Sequence, residues 1–123
     1  MAANNADLEL LFVYGLLQPG HRFPAGAEPI QPDRVRGLLY DLGDYPAAID
    51  IDIDLTESWF EGYLIAIPPE MFFDLDQYEC VDEGLYRRIQ TETESGKCAW
   101  VYEYLKALPY NATGPITKWP MAL

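Results

Sequence analysis

The residue type and spacing with most chemical content is Glu79. On a helical wheel of 100° per residue, Met71, Phe72, Leu75 and Tyr78 mark an apolar arc, and Glu79 falls inside it between Phe72 and Leu75. A carboxylate turned toward a core is costly unless it finds a partner, or else its pKa rises until it holds a proton. Three outcomes are open to Glu79: an ion pair with Arg87 or Arg88, a place facing water at the helix end, or work as an acid and base. A second pattern, Tyr14-Gly15-Leu16-Leu17, follows an apolar run. A junction of that kind either aims successive backbone N–H groups at an anion or simply uses the glycine to turn.

Asp50, Asp52, Asp54 and Glu61 occupy positions 1, 3, 5 and 12 of a calcium-binding loop. The rest of that motif fails, because Leu55 stands where the sharp turn needs glycine, Glu57 follows, and neither flank is patterned as a helix. The simpler expectation is a solvated acidic face on an extended segment, with Ile51 and Ile53 turned inward by the period of two. His21 is the single histidine, and Cys80 and Cys98 have no helper nearby in sequence, so neither a metal site nor a nucleophilic triad is expected. The nine tyrosines suit a polar-lined pocket, although most are expected to be packing residues with a wet hydroxyl.

The elements that must position these residues follow from local pattern. Residues 8–14 (LELLFVY) read as a buried central strand, and the Gly and Pro residues of 15–32 make that stretch mostly loop. A second strand is expected over 35–40, turn residues over 41–45, and a further strand over 47–53. Residues 59–67 (WFEGYLIAI) form another strand, ended by Pro68-Pro69. A helix is expected over 69–80, with Pro69 in its first turn and Glu70 and Asp74 near the positive end of its dipole. Strands over 86–93 and 97–105 are joined by Glu94-Ser95-Gly96 as a hairpin, and an irregular tail begins at 109. Many strands with one clear helix give an α+β domain, the helix lying on a curved sheet or small barrel.

Composition narrows the function classes. With 123 residues, one domain spanning 1–123 is expected, and 17 aromatic residues argue against wholesale disorder. Eight Lys and Arg against 20 Asp and Glu leave a formal charge of −12, so polyanions are repelled and neither nucleic acid nor an anionic membrane is an expected partner. No apolar run is long enough to span a bilayer, and 1–7 lacks the pattern of a secretory leader. Two isolated cysteines fit a reduced compartment, so the chain is read as cytoplasmic, its partner a small molecule.

The segments LFVYGLLQPG, RGLLYDLGDYPAAI, FEGYLIAI, LDQYE, YRR and AWVYEY, in that order over about 9–104, resemble the motifs of the gamma-glutamylcyclotransferase-like (AIG2-like) family. The resemblance implies a small mixed, mainly antiparallel β-barrel with a flanking helix. It also implies release of 5-oxoproline from a gamma-glutamyl amine, amino acid or related amide, by attack of the substrate's own alpha-amine and without a cofactor. On that resemblance Glu79 is the general acid and base, residues 14–17 (Tyr14, Gly15, Leu16, Leu17) cradle the substrate carboxylate, and Tyr86 is a wall of the pocket, with Arg88 on the same strand face. Leu16 stands where most members carry Thr or Ser, which favours an alternative: a non-catalytic module that binds a small carboxylate. An interaction role for the acidic surface is a third reading, and a monomer or a homodimer fits all three.

Overall fold

The computed structural model describes residues 7–52 and 57–120. Along the described chain run β1 (Glu9–Val13), β2 (Glu28–Arg36), β3 (Leu38–Asp41), β4 (Pro46–Ile49), β5 (Trp59–Ile67), α1 (Met71–Tyr78), β6 (Tyr86–Glu92), β7 (Cys98–Tyr104) and β8 (Thr113–Ile116). The first sheet has the order β2-β5-β1-β7-β6, and the second β4-β3-β8. β1 pairs antiparallel with β5 and parallel with β7. Its unbroken apolar run has a direct cause: Leu11 and Val13 enter one core cluster while Phe12 and Tyr14 enter another, so both faces of the strand are buried.

Those two clusters set the layers. On one side of the first sheet, Phe72 and Leu75 of α1 pack with Leu11, Val13, Ile65 and Ile67. On the other, Phe12, Val35, Phe60 and Leu64 pack with Leu39 and Ala48 of the second sheet. The fold is the expected α+β arrangement with a flanking helix, but the strands form two packed sheets and do not close into a barrel. The reason is pairing: β3 hydrogen-bonds with β4 and β8, and with neither edge strand of the first sheet.

Local departures from the sequence pattern each have a physical cause. The strand expected over 35–40 divides at Gly37, where a Cβ would lie 3.0 Å from the Phe60 ring and 3.2 Å from the Ile49 carbonyl. β2 starts earlier than expected and runs through Pro29 and Pro32, which an edge strand tolerates because the missing N–H faces away from the ladder. β4 stops at Ile49 because Asp50 and Asp52 adopt positive φ, 53° and 57°. These two aspartates therefore lie in a turn, not along an extended acidic face, and Asp52 meets Arg36 at 3.2 Å. Ile51 is buried as expected, while Ile53 and Asp54 lie outside the described residues.

The helix is shorter than 69–80. Turn bonds from Met71 to Pro68 and from Phe72 to Pro69 precede it, and Cys80, with φ 56°, ends it. The stretch beyond 109 is not irregular throughout, since β8 pairs with β3, the Trp119 indole donates to Asp41 at 2.9 Å, and the Thr117 carbonyl accepts the Glu61 N–H. The hairpin through Glu94-Ser95-Gly96 forms as expected, with Gly96 at φ 88°. Among the described residues no helix is long and apolar enough to cross a membrane.

Candidate active site

A cavity of about 570 Å³ opens where the C-terminal end of β1 meets the start of β4, the end of α1 and the start of β6. All six residues expected at a site, Tyr14, Gly15, Leu16, Leu17, Glu79 and Tyr86, line it. Tyr14 is buried; its hydroxyl donates to the Tyr102 carbonyl and accepts the Ala48 N–H. Burial first, and then the charge of Glu79, push the Tyr14 pKa well up, so the phenol stays neutral.

Gly15 is explained by contact, not by turning. Its φ is not positive, but a Cβ there would lie 2.9 Å from the Pro46 ring, so glycine lets the loop after β1 meet the start of β4. The loop then folds on itself: the Gln18 N–H and amide Nε2 both donate to the Gly15 carbonyl at 3.2 Å, and the Arg22 N–H donates to the Leu16 carbonyl at 2.8 Å. The carbonyls are thereby occupied. The N–H groups of Gly15, Leu16 and Leu17 have no acceptor among the described residues, which leaves three adjacent donors beside the cavity.

Glu79 is the C-cap of α1, its N–H bonded to the Leu75 carbonyl at 2.9 Å. Its carboxylate is partly buried, lines the cavity, and has no hydrogen bond or ion pair among the described residues. Both arginines that sequence offered as partners are engaged elsewhere. Arg87 meets Glu103 at 2.7 Å, and Arg88 holds Asp76 through two hydrogen bonds at 3.0 and 3.1 Å. Burial raises the Glu79 pKa from its ordinary 4.5 to about 7. Of the three outcomes open to it, the paired one is excluded among the described residues, and so is full exposure.

Tyr86 is the expected wall. Its hydroxyl donates to the Pro46 carbonyl at 2.6 Å, and its ring meets that of Tyr104 edge-on at 5.3 Å. Burial is the main cause that raises the pKa of Tyr86, with smaller contributions from Tyr14 and Glu79. Arg88 shares the strand face of Tyr86 but does not line the cavity, because its guanidinium turns to Asp76. Sequence reasoning missed Arg22, Asp44, Tyr45, Pro46 and Tyr102 as lining residues. Only Tyr45 and Pro46 carried a signal, in the YPA motif; the approach of Tyr102 is a consequence of pairing between β1 and β7.

Residues 11–119 match the family pattern described as gamma-glutamyl cyclotransferase, AIG2-like. The chain belongs to this family. Four of the motifs that characterise this cyclotransferase-like chain, VYG, YPA, LDQYE and YRR, each contribute at least one residue to the cavity wall. Among solved structures it is similar to YkqA from Bacillus subtilis, at 26% identity and a TM-score of 0.65 over 79% of this chain. The chain spans only 36% of YkqA. It also resembles an AIG2-like protein from Mus musculus at 16% identity and a TM-score of 0.65, over 83% of this chain and 80% of that one. A protein described as gamma-glutamyl cyclotransferase aligns at 16% identity and a TM-score of 0.57, over 79% of this chain and 66% of that one. The last two likenesses bear on fold alone. No curated protein sequence matches the chain.

Proposed function

We propose that the protein is a cyclotransferase that releases 5-oxoproline from a gamma-glutamyl amine, amino acid or related amide. The observation that carries this reading is the shared cavity: Glu79, with a pKa near 7, and the three backbone N–H groups at 15–17 border the same space, and none of them has a partner among the described residues. A cavity of about 570 Å³ lies in the range for small-molecule sites. The N–H groups of Gly15, Leu16 and Leu17 receive the substrate's alpha-carboxylate. Ionised Glu79 takes a proton from the alpha-ammonium. A peptide alpha-amino group has a pKa of about 8 and the neighbouring carboxylate of the substrate holds its ammonium higher, so a carboxylate raised to about 7 is a better matched base than one at 4.5.

The freed amine attacks the gamma-carbonyl, and a C–N bond closes the five-membered ring. The original amide C–N bond then breaks as Glu79 returns its proton to the departing nitrogen, and the surplus proton on the ring nitrogen passes to the same amine, which leaves as an ammonium ion. Glu79 ends as it began, and the written steps consume nothing but substrate. Tyr14 and Tyr86, both neutral and both engaged in hydrogen bonds, shape the wall and exclude water. The fold shared with a protein described as gamma-glutamyl cyclotransferase supports the reaction class.

The test is 5-oxoproline release, followed by mass spectrometry, from a panel of gamma-glutamyl amino acids and alkylamines. Wild type is expected to form product, and Glu79→Gln to lose at least roughly 100-fold in kcat. Equal behaviour of the two chains across the panel overturns the reading. Leu16 favours one second reading, a binding module for a small carboxylate, because it lines the cavity where most members have a hydroxyl. A ligand that raises the Tm yet is recovered unchanged identifies that case, and Leu16→Thr then tests whether a hydroxyl restores turnover.

A further inference from the structure

A carboxylate that takes and returns a proton must be held still, and α1 is poorly equipped to hold it alone. The helix has eight residues, lacks a side-chain hydrogen bond at its N-cap, and buries only Phe72 and Leu75. What ties its last turn to the sheet is polar. Asp76, three residues before Glu79, receives Arg88 Nε on Oδ1 at 3.0 Å and Nη2 on Oδ2 at 3.1 Å. The Tyr102 hydroxyl donates to the same Oδ1 at 2.7 Å. The Arg88 guanidinium lies between two rings, 4.0 Å from the Phe72 centroid and 4.7 Å from that of Trp100. Trp100 is itself tied by its indole N–H to Glu9 of β1 at 2.9 Å.

We propose that Arg88 is a positioning residue: acting through Asp76 and Tyr102, it fixes the end of α1 and thereby where the Glu79 carboxylate stands in the cavity. Arg88 does not line the cavity, so it has no route to a substrate except through its partners. Tyr102 joins the two halves of the site. Its hydroxyl holds Asp76, the residue lines the cavity, and its carbonyl accepts the Tyr14 hydroxyl at the start of the anion cradle. Burial acts to raise the Asp76 pKa, yet the hydrogen bonds from Arg88 and Tyr102 outweigh it and leave the pKa lowered, so the clamp stays charged across neutral pH.

The groups that share the cavity with Glu79 are Tyr14 beyond β1, Tyr86 on β6, Tyr102 on β7, Arg22 and Tyr45 with Asp44 on the loops, and Tyr78 and Cys80 beside it. Arg88 variants change none of these side chains. Loosening the clamp lets the helix end move and admits water to Glu79, and the titration of that one carboxylate reports the change.

The experiment uses the full chain with Arg88→Met, Arg88→Lys and Tyr102→Phe, following the Glu79 carboxyl carbon by NMR against pH, with kcat and KM measured alongside. In Arg88→Met the Glu79 midpoint is expected to fall by about one pH unit. Its kcat is expected to drop about tenfold or more, KM staying within about threefold, since a small displacement of a proton-transfer group acts on the chemical step. Arg88→Lys keeps the charge without the planar fork and falls between. Tyr102→Phe removes one of the three bonds to Asp76 and shifts the midpoint the same way by less. If Arg88→Met does not fold, Arg88→Lys and Tyr102→Phe carry the comparison. Folded variants whose midpoint and kcat match wild type overturn the proposal, even if their Tm is lower. The catalytic consequence rests on the cyclotransferase reading, but the titration does not: wild type without product overturns that reading and leaves the midpoint to decide the role of Arg88.

Discussion

At the scale of single residues, the burial of Glu79 without a partner among the described residues has a thermodynamic signature separate from catalysis. Its folded pKa of about 7 lies above the ordinary 4.5, so between those values the folded chain binds more protons than the unfolded one. Stability therefore falls as pH rises through that window, and the full cost of the buried charge is present above it. Glu79→Gln is expected to raise the Tm by roughly 5–10 °C at pH 8 and to leave it unchanged at pH 4, measured by thermal melts across the range. An equal or lower Tm for the variant at pH 8 would show the carboxylate to be stabilised by a partner. The same residue-level logic applies to Gly15, whose missing Cβ is what allows Pro46 to approach, so a motif glycine here serves packing between two site segments.

At the scale of elements, the chain beyond 109 is part of the fold. β8 completes the second sheet against β3, and the Trp119 side chain, 5% exposed, fills the space between the sheets with Phe60 and Leu39 in the same cluster. Trp119→Ala removes that volume and leaves Asp41 without its indole donor, and it is expected to cost about 3–5 kcal/mol in urea unfolding. A change under about 1 kcal/mol would show that the tail is dispensable. The helix presents the opposite case. Its apolar contribution is small, and its last turn is tied by polar bonds, which suits an element that must place one charge accurately. At Gly62 a Cβ would overlap the Val13 carbonyl and lie 2.6 Å from the Phe12 ring, so β5 and β1 approach closely just where β1 enters the site.

At the scale of the whole molecule, a formal charge of −12 on 123 residues means that the folded surface repels itself. Raising NaCl from 20 to 200 mM shortens the screening length from about 20 Å to about 7 Å, and a rise of a few degrees in Tm is expected. A fall in Tm would mean that ion pairs such as Arg34 with Glu94, at 2.6 Å, outweigh the repulsion. Much of the architecture was legible in the sequence because it is written in local pattern. β1, β5, the hairpin of β6 and β7, and the helix all follow from apolar periodicity and from Gly and Pro placement. The edge strand β2 was not legible, because its prolines are tolerated only where no neighbour needs their N–H, and that depends on sheet order. The wheel position of Glu79 and the glycine after β1 were also visible, and they led to both ends of the cavity. By itself, then, the sequence determined which residues are apolar, where the chain must turn, and that one carboxylate sits on an apolar helical arc, of which the fold buries Phe72 and Leu75 and leaves Tyr78 exposed. Only the tertiary structure decided that this carboxylate lacks a partner among the described residues, because the sequence offered both Arg87 and Arg88 to it. Their choice of Glu103 and Asp76 depends on strand register and helix placement, which bring together groups 12 and 16 residues apart in the chain.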